Sequence, residues 1–513
     1  MKKQQIGIID MGSNSVRFVI YDINEHGGIK EIQNLKVVAR LSSHINKNGE
    51  MTKTGIKEIG KVLERFETIA KNYSLTTVRC VATAAIRNAT NQKEILKAIK
   101  GKSIFSIDVL SEKEEAYYGY LAVTNSMNIE DGITIDIGGG STEVTLFEHR
   151  KLKNYHSFPF GAITLKKQFI STDQPTEEEM QRLTSFLFEQ FNSLTWVKNQ
   201  GLPVIGIGGT ARNLALIHQR QILYPLAGLH QYEMSIDDIN SVSQGLLRLN
   251  LEERRQVEGL SKDRADIIIP AIKAIEELIR FSGSDKFIVS DKGLRNGLFS
   301  EMYLQPIGIT QFPNVAEESF YQLSLDYSMD NEHQKQISIL ALFMAKELNP
   351  YLESPLTKYD LLLLRWAARI FYIGASIHPE SKSQHTFYLL TNQSVDGLTH
   401  KERFVLALLA SFKSRSQLKQ YASPFPGWLL KEESSKLEVM GAILRLCWAL
   451  DYSHRGVILS VKLERKDDST YVLHFGYSGD PFFEETYGKK HKKHLEKALG
   501  KQIEFVFEKN NLF

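Results

Sequence analysis

The sequence predicts an α/β protein that uses one strand–turn–strand plan twice, followed by a mostly helical region and a small α+β end. Two segments, IGIIDMGSNSVRFVIY at 6–21 and GITIDIGGGSTEVTLF at 132–147, align with a constant offset. Around them, short apolar strands alternate with longer amphipathic segments such as TKTGIKEIGKVLERFETIAKNY and TEEEMQRLTSFLFEQFNSL. From about Glu317 to Asp451 the pattern becomes helical, as in DLLLLRWAARIFYIGASI, HKERFVLALLASFKSR and EVMGAILRLCWALDYSH. At the end GVILSVKLERKDDSTYVLHFGY reads as a hairpin, KKHKKHLEKALG as a helix and QIEFVFEK as a strand. The predicted divisions are 1–128, 129–308, 309–454 and 455–513, the last being a lobe of its own or part of the helical region.

The repeat pairs Asp10 with Asp136, Gly12 with Gly138, Ser15 with Ser141 and Arg17 with Glu143. A third glycine turn lies in PVIGIGGTARNLALI, where the strand Val204 to Ile207 meets Gly208, Gly209 and Thr210 and a helix is expected near Ala211. A fourth, FIVSDKGLRNGLF, has strand residues Phe287 to Val289, then Ser290, Gly293 and a helix from about Leu294. Glycine removes side-chain bulk and permits positive φ, so several amides can converge on one anion. An isolated glycine turn is more often a plain hairpin; here Asp10, Asp136 and Glu143 stand in the same turns. Carboxylates beside phosphate-binding amides repel the substrate unless a hard divalent cation lies between them, and Mg²⁺ fits that chemistry.

Composition limits the alternatives. A chain of 513 residues, 42% hydrophobic and 24% charged, reads as a soluble globular protein of two to four domains. It has no run of about 18 apolar residues, and MKKQQIGIID passes directly into a strand without a signal-peptide core. A cytoplasmic protein with no membrane partner is expected. Cys80 and Cys447 lack metal-binding spacing and read as buried thiols. A net charge of +3 identifies no polyanion partner by itself.

The stretches IGIIDMGSNSVRFVIYDI, VATAAIRNATN, LSEKEEAYYGYLAV, IDIGGGSTEVTLF, IGIGGTARNLA, DRADIIIPAI and SDKGLRNGLF cover residues 6 to about 300. In that order they resemble the motifs of the exopolyphosphatase and guanosine pentaphosphate phosphatase family. The resemblance implies two ribonuclease-H-like domains of the actin, Hsp70 and sugar-kinase type. It makes Glu115 the base that activates water, and Asp136 and Glu143 the acidic residues that hold metal and position water. Gly138, Gly139, Gly140, Ser141, Gly208, Gly209 and Thr210 become phosphate loops, and Arg87 a phosphate contact; the first turn, with Asp10, Gly12, Ser13, Asn14 and Ser15, joins them. Mg²⁺ is the implied cofactor, with a monovalent cation such as K⁺ left open, and a homodimer is expected. Without the resemblance Glu115 would read, like Glu112 and Glu114, as a solvated helix start. Arg17 remains open between a salt bridge and a phosphate contact.

The helical region resembles the family's HD-like domain, with a departure. Phe371 and Tyr372 stand where His and an acidic residue are usual, and Trp448 replaces a carboxylate in LRLCWALDYSH, although His385 and Asp451 remain. Aromatic residues cannot ligate a metal in their place, so this domain is expected to be metal-free and to serve packing, dimerisation or a substrate channel. Lys489, Lys490, Lys492 and Lys493 form either a solvated helix face or a landing strip for a long polyanion. Nucleic acid is not expected, because no aromatic-rich motif accompanies the lysines. The leading expectation is hydrolysis of terminal phosphate from inorganic polyphosphate. The alternatives are a guanosine pentaphosphate 5′-phosphatase on the same site, for which guanosine tetraphosphate is the product, a nucleotide-driven actin-like or kinase-type protein, and a non-catalytic sensor of such molecules.

Overall fold

The computed structural model describes residues 3–100 and 103–509. The chain divides into two compact units, one of residues 1–224 and 229–315, the other of residues 225–228 and 316–513.

The first unit holds two mixed sheets. In the first, β1 (Gln4–Met11), β2 (Val16–Ile23), β3 (Ile29–Val37), β4 (Leu75–Ala82) and β5 (Ile107–Val109) lie in the order β3-β2-β1-β4-β5. In the second, β6 (Gly132–Ile137), β7 (Thr142–Glu148), β8 (Lys151–Phe158), β9 (Val204–Ile207), β10 (Tyr232–Met234) and β11 (Phe287–Val289) lie in the order β10-β11-β9-β6-β7-β8. Each sheet begins with an antiparallel three-strand meander and continues from its first strand into two parallel strands, the second sheet adding β10 antiparallel at its edge. The repeat seen in the sequence is therefore a repeat of topology. It extends to register: Asp10 lies opposite Arg17 in the first hairpin, and Asp136 opposite Glu143 in the second. The turns close alike, with Gly12 N–H donating to Ser15 O at 3.1 Å and Gly138 N–H to Ser141 O at 2.9 Å.

The apolar faces fix how these parts pack. The helix Lys53–Ala70, capped by Thr52, buries Ile59, Val62, Leu63 and Phe66 beneath the first sheet. A core shared by the two sheets combines Ile6, Ile8 and Val19 with Ile205, Ile207 and Ile288, and encloses Tyr118 and Leu121 of the helix Glu112–Thr124. That helix crosses the helix Leu294–Leu304 at Gly297, where an added Cβ would stand 2.0 Å from the Tyr118 carbonyl oxygen. The close crossing presents the first turn of Glu112–Thr124 at the ends of β1 and β4.

The second unit is helical, with a three-stranded sheet of β12 (Ile458–Arg465), β13 (Thr470–Tyr477) and β14 (Gln502–Lys509) in that order. The predicted hairpin and final strand are thus present, β14 running parallel to β13. The single helix read in KKHKKHLEKALG differs: helices Phe482–His491 and Lys493–Leu499 meet at Lys492. Lys492 binds back to Glu496 at 2.9 Å and to the Ile503 carbonyl, which ties the junction to β14. The α/β class with a helical C-terminal region is the one the sequence predicts. Cys80 and Cys447 are buried free thiols. Among the described residues no helix is long and apolar enough to cross a membrane.

Candidate active site

The two hairpin turns face each other. A Cβ added to Gly139 would lie 3.1 Å from Ile163 Cδ1 and 3.3 Å from the Cβ of Ser13, so the second turn approaches the first closely. Gly161 supports the Gly138–Gly140 turn from behind, since a Cβ there would stand 2.6 Å from Gly138 O. The helix Ala162–Phe169 begins on that support, with Ala162 N–H donating to Gly138 O at 2.9 Å and Ile163 N–H to Gly139 O at 3.0 Å. At the third turn the helix starts at Gly208, three residues before the expected point, so Gly209 and Thr210 lie in its first turn. Gly208 has φ +83°, and a Cβ on it would fall 2.3 Å from Asp136 Oδ1. Glycine is required there by conformation and by space.

Four carboxylates come from four elements: Asp10 at the end of β1, Asp136 on β6, Glu143 on β7 and Glu115 in the first turn of Glu112–Thr124. The same first turn explains its other acids. Glu114 closes a capping box with Ser111, accepting from Ser111 N–H at 2.8 Å, while Glu112 is exposed, so only Glu115 turns inward. Arg87 Nη1 donates to Glu115 Oε2 at 2.6 Å and to Leu110 O at 3.2 Å, and both side chains of the pair are largely covered. Burial pushes Glu115 up to about 7 against the lowering effect of Arg87. Glu143 is raised well above the usual carboxylate range by burial and by the nearby charges of Glu115 and Asp136, despite hydrogen bonds from Ser141 and from Ser157, the latter at 3.0 Å. Asp136 is raised by burial, with Arg212 and Arg264 opposing; Asp10 is raised by burial, with Arg295 and Arg17 opposing.

Three of those arginines carried no assignment from sequence. Arg295 Nη1 stands 3.4 Å from Asp10 Oδ2, and the Arg264 guanidinium covers Gly209, where an added Cβ would meet Cζ at 2.2 Å. Asn213 holds that contact, donating to Gly209 O at 2.7 Å and accepting from Ser261 N–H at 2.7 Å. Arg212 donates to Asp291 O at 3.4 Å, and its pKa is lowered by burial and by the charges of Arg295 and Arg264, although the guanidinium stays charged. Arg17 donates to Asn34 Oδ1 at 2.8 Å and lies within the field of Asp10. Positive charges crowded in this way lower their mutual energy by taking an anion between them. Two of the predicted phosphate contacts also retain unused hydrogen-bonding capacity: Arg87 Nε and Nη2, and Thr210 Oγ1, are buried without a hydrogen-bond partner.

The donor set suits a hard cation: Asp136 and Glu143 offer carboxylate oxygens whose mutual repulsion a cation relieves. Among the described residues no group of three or more His, Cys, Asp or Glu side chains is arranged to enclose a metal ion. A Mg²⁺ ion would thus take one or two carboxylates here, with water and substrate oxygens completing its shell. Elsewhere, Lys489 pairs with Glu485 and Lys492 with Glu496, while Lys490 and Lys493 are exposed. Asp451 accepts from His333 Nδ1 at 2.7 Å and Gly456 N–H at 2.8 Å, which gives it a structural partner.

Carboxylates and arginines gathered around two facing glycine hairpins are the equipment of a phosphate-binding α/β protein. The profile of the Ppx/GppA phosphatase family matches residues 19–305, and that of Ppx/GppA phosphatase domain III matches residues 315–482; the chain belongs to this phosphatase family. It is 27% identical over 296 residues to a bifunctional 3-dehydroquinate synthase/phosphatase of Fusobacterium nucleatum, a match that spans 55% of the chain and 44% of that protein's length. It is 23% identical over 480 residues to a guanosine-5'-triphosphate,3'-diphosphate pyrophosphatase of Aeromonas hydrophila, covering 91% of the chain and 92% of the relative. A crystal structure of the Aquifex aeolicus family member aligns with TM-score 0.53 and 29% identity over 60% of the chain and 99% of its own. An exopolyphosphatase from Cytophaga hutchinsonii shares the fold at TM-score 0.53 and 24% identity, over 60% of the chain and 100% of its own.

Proposed function

We propose that the chain hydrolyses terminal phosphoanhydride bonds of inorganic polyphosphate and releases orthophosphate, with Glu115 as the base. The observation that carries this is the Glu115–Arg87 pair beside two opposed glycine hairpins. Phosphoryl transfer needs alignment and charge neutralisation more than covalent help. Arg87, Arg212 and Thr210, with the amides of Gly139–Ser141 and Gly208–Thr210, bind the terminal phosphoryl oxygens. Glu115 accepts the proton of a water whose oxygen bonds to the terminal phosphorus. The bond from that phosphorus to the bridging oxygen breaks, giving orthophosphate and a chain one unit shorter. Asp136 and Glu143 would hold Mg²⁺, which supplies charge neutralisation on the phosphate oxygens when bound. Arg264, whose charge bears on Asp136, and Arg295, beside Asp10, keep these two carboxylates from repelling the substrate.

A second reading has its own support. The relative from Aeromonas, matched over nearly the whole chain, is named for a guanosine substrate, and both substrates end in a phosphoanhydride. Phosphate release from purified protein given polyphosphate, guanosine pentaphosphate and ATP in parallel, with Mg²⁺ and with chelator, tests the proposal. Turnover of polyphosphate above the other two, lost with chelator, is the expected result; turnover of guanosine pentaphosphate alone would replace it with the second reading.

A further inference from the structure

The aromatic residues that stand in place of a metal centre belong to an unusual basic cluster. Tyr372 follows the helix Lys358–Arg369 with φ +58°, a left-handed conformation that a bulky residue adopts at a cost. It is held there by Tyr372 N–H donating to Ala410 O at 3.0 Å and its hydroxyl to Phe412 O at 2.7 Å. Lys382, the first residue of the helix Lys382–Asn392, places its ammonium 3.7 Å from the centre of the Trp448 ring and 4.8 Å from that of Tyr372. Arg445, one turn before Trp448 on the helix Lys431–Ala449, donates from Nε to His491 Nδ1 at 3.2 Å and also bonds the Tyr372 hydroxyl. His494 lies beside His491, their ring centres 6.3 Å apart.

Two nitrogens of this cluster have no hydrogen-bond partner among the described residues. Arg445 Nη1 and His494 Nε2 are both buried without a hydrogen-bond partner. The charges bearing on Lys382 are those of Arg445 and Lys413, and those bearing on His494 are Arg445, Lys493 and Lys497. Burial and this shared charge lower Lys382 to about 8 and both histidines to about 4. Uncompensated buried charge is expensive, and fixed N–H donors without acceptors add to the cost. A metal cation is repelled by Lys382 and Arg445, whereas a compact dianion compensates their charge and offers acceptors to Arg445 Nη1 and to His494 Nε2 in its N–H form. Arg–phosphate and Lys–phosphate hydrogen bonds are the strong, charge-assisted kind.

We propose that Lys382, Arg445, His491 and His494, framed by Tyr372 and Trp448, form a binding site for a phosphate group, built from residues of the second unit alone. The class of ligand is a phosphate dianion, either free orthophosphate or a phosphate within a condensed chain. Lys493, part of the lysine run, contributes to the field of this site rather than acting only as an open surface charge.

The test is histidine-selective ¹⁵N NMR of the full chain, with His491 and His494 assigned by substitution, during addition of orthophosphate, tripolyphosphate or acetate at constant ionic strength. Both ring signals should move saturably with orthophosphate or tripolyphosphate and stay in place with acetate. Tighter binding of tripolyphosphate would identify the chain as the source, and equal binding would identify free phosphate. Arg445→Met should weaken binding by roughly ten-fold or more, and Lys382→Gln, which keeps the helix start intact, should weaken it in the same sense. The proposal is overturned if neither phosphate moves the two signals, if acetate moves them equally, or if both variants bind as the wild type does. Hydrolytic turnover need not change in either variant, so failure here and failure of the proposed activity are distinguishable.

Discussion

Glu115 differs from its neighbours in what it touches. Two glutamates within three positions face water or cap the helix, whereas Glu115 meets Arg87 and the field of Glu143 and Asp136. A base ionises as pH rises through its pKa, so turnover should rise through the region near 7 to which burial has moved Glu115. Arg87 lowers that value, and Arg87→Met should therefore shift the acid limb of kcat/KM toward higher pH; a pH–rate profile of the variant checks the direction. An unmoved limb would separate Arg87 from Glu115. Gly208→Ala should destabilise the protein by about 1–2 kcal/mol through its left-handed backbone and should also reduce turnover by displacing Asp136. Thermal melts with initial rates decide this, because a purely structural effect would lower stability and leave the rate of the folded fraction intact.

At the scale of elements, the hairpins were legible because their chemistry is local: a strand, an aspartate, a glycine and a second strand recur at a fixed offset. The register that sets Asp136 opposite Glu143 follows from that spacing. Arg212, Arg264 and Arg295 were not legible as site residues although their motifs were visible. The roles of Arg264 and Arg295 depend on Gly209 and Asp10, and that of Arg212 on the field of Asp136, partners that lie far off in sequence and meet them only in the folded chain. Gly161 was missed for the same reason, since its need for glycine comes from the Gly138 carbonyl and not from its own turn. Helix starts behave differently, because their signals are local. Glu179 caps Glu177–Asn192 and accepts from Ser171 N–H and Oγ, both at 2.7 Å, from Thr172 Oγ1 at 2.7 Å and from Thr176 N–H at 2.9 Å. These bonds lower its pKa from 4.5 to about 2, so their stabilising effect is full above about 4.5 and is lost as pH falls toward 2. Glu179→Gln should cost about 1 kcal/mol near neutral pH and progressively less in acid. Denaturant melts at several pH values would contradict this if the difference were constant.

At the scale of the whole chain, the first unit carries the candidate chemistry and the second carries basic groups on a helical frame. A long polyanion should bind more weakly as salt rises, since each phosphate contact releases counterions. Lys490→Gln with Lys493→Gln should raise KM for long polyphosphate more than for tripolyphosphate and flatten the salt dependence. Equal effects on both lengths, measured at two ionic strengths, would remove the two exposed lysines from chain binding. The helical pattern of the second unit was recognisable in the sequence, and the aromatic residues Phe371, Tyr372 and Trp448 were visible there. The basic groups that gather there were hidden, because Lys382, Arg445 and His491 are separated in sequence and become neighbours only when three helices pack. Asp451 is engaged with His333. The most direct measurement is made on full-length Glu115→Gln: polyphosphate binding and Mg²⁺-dependent phosphate release, side by side with the wild type. Binding should persist while release falls about 10²–10⁴-fold; release within a few-fold of wild type would contradict the account.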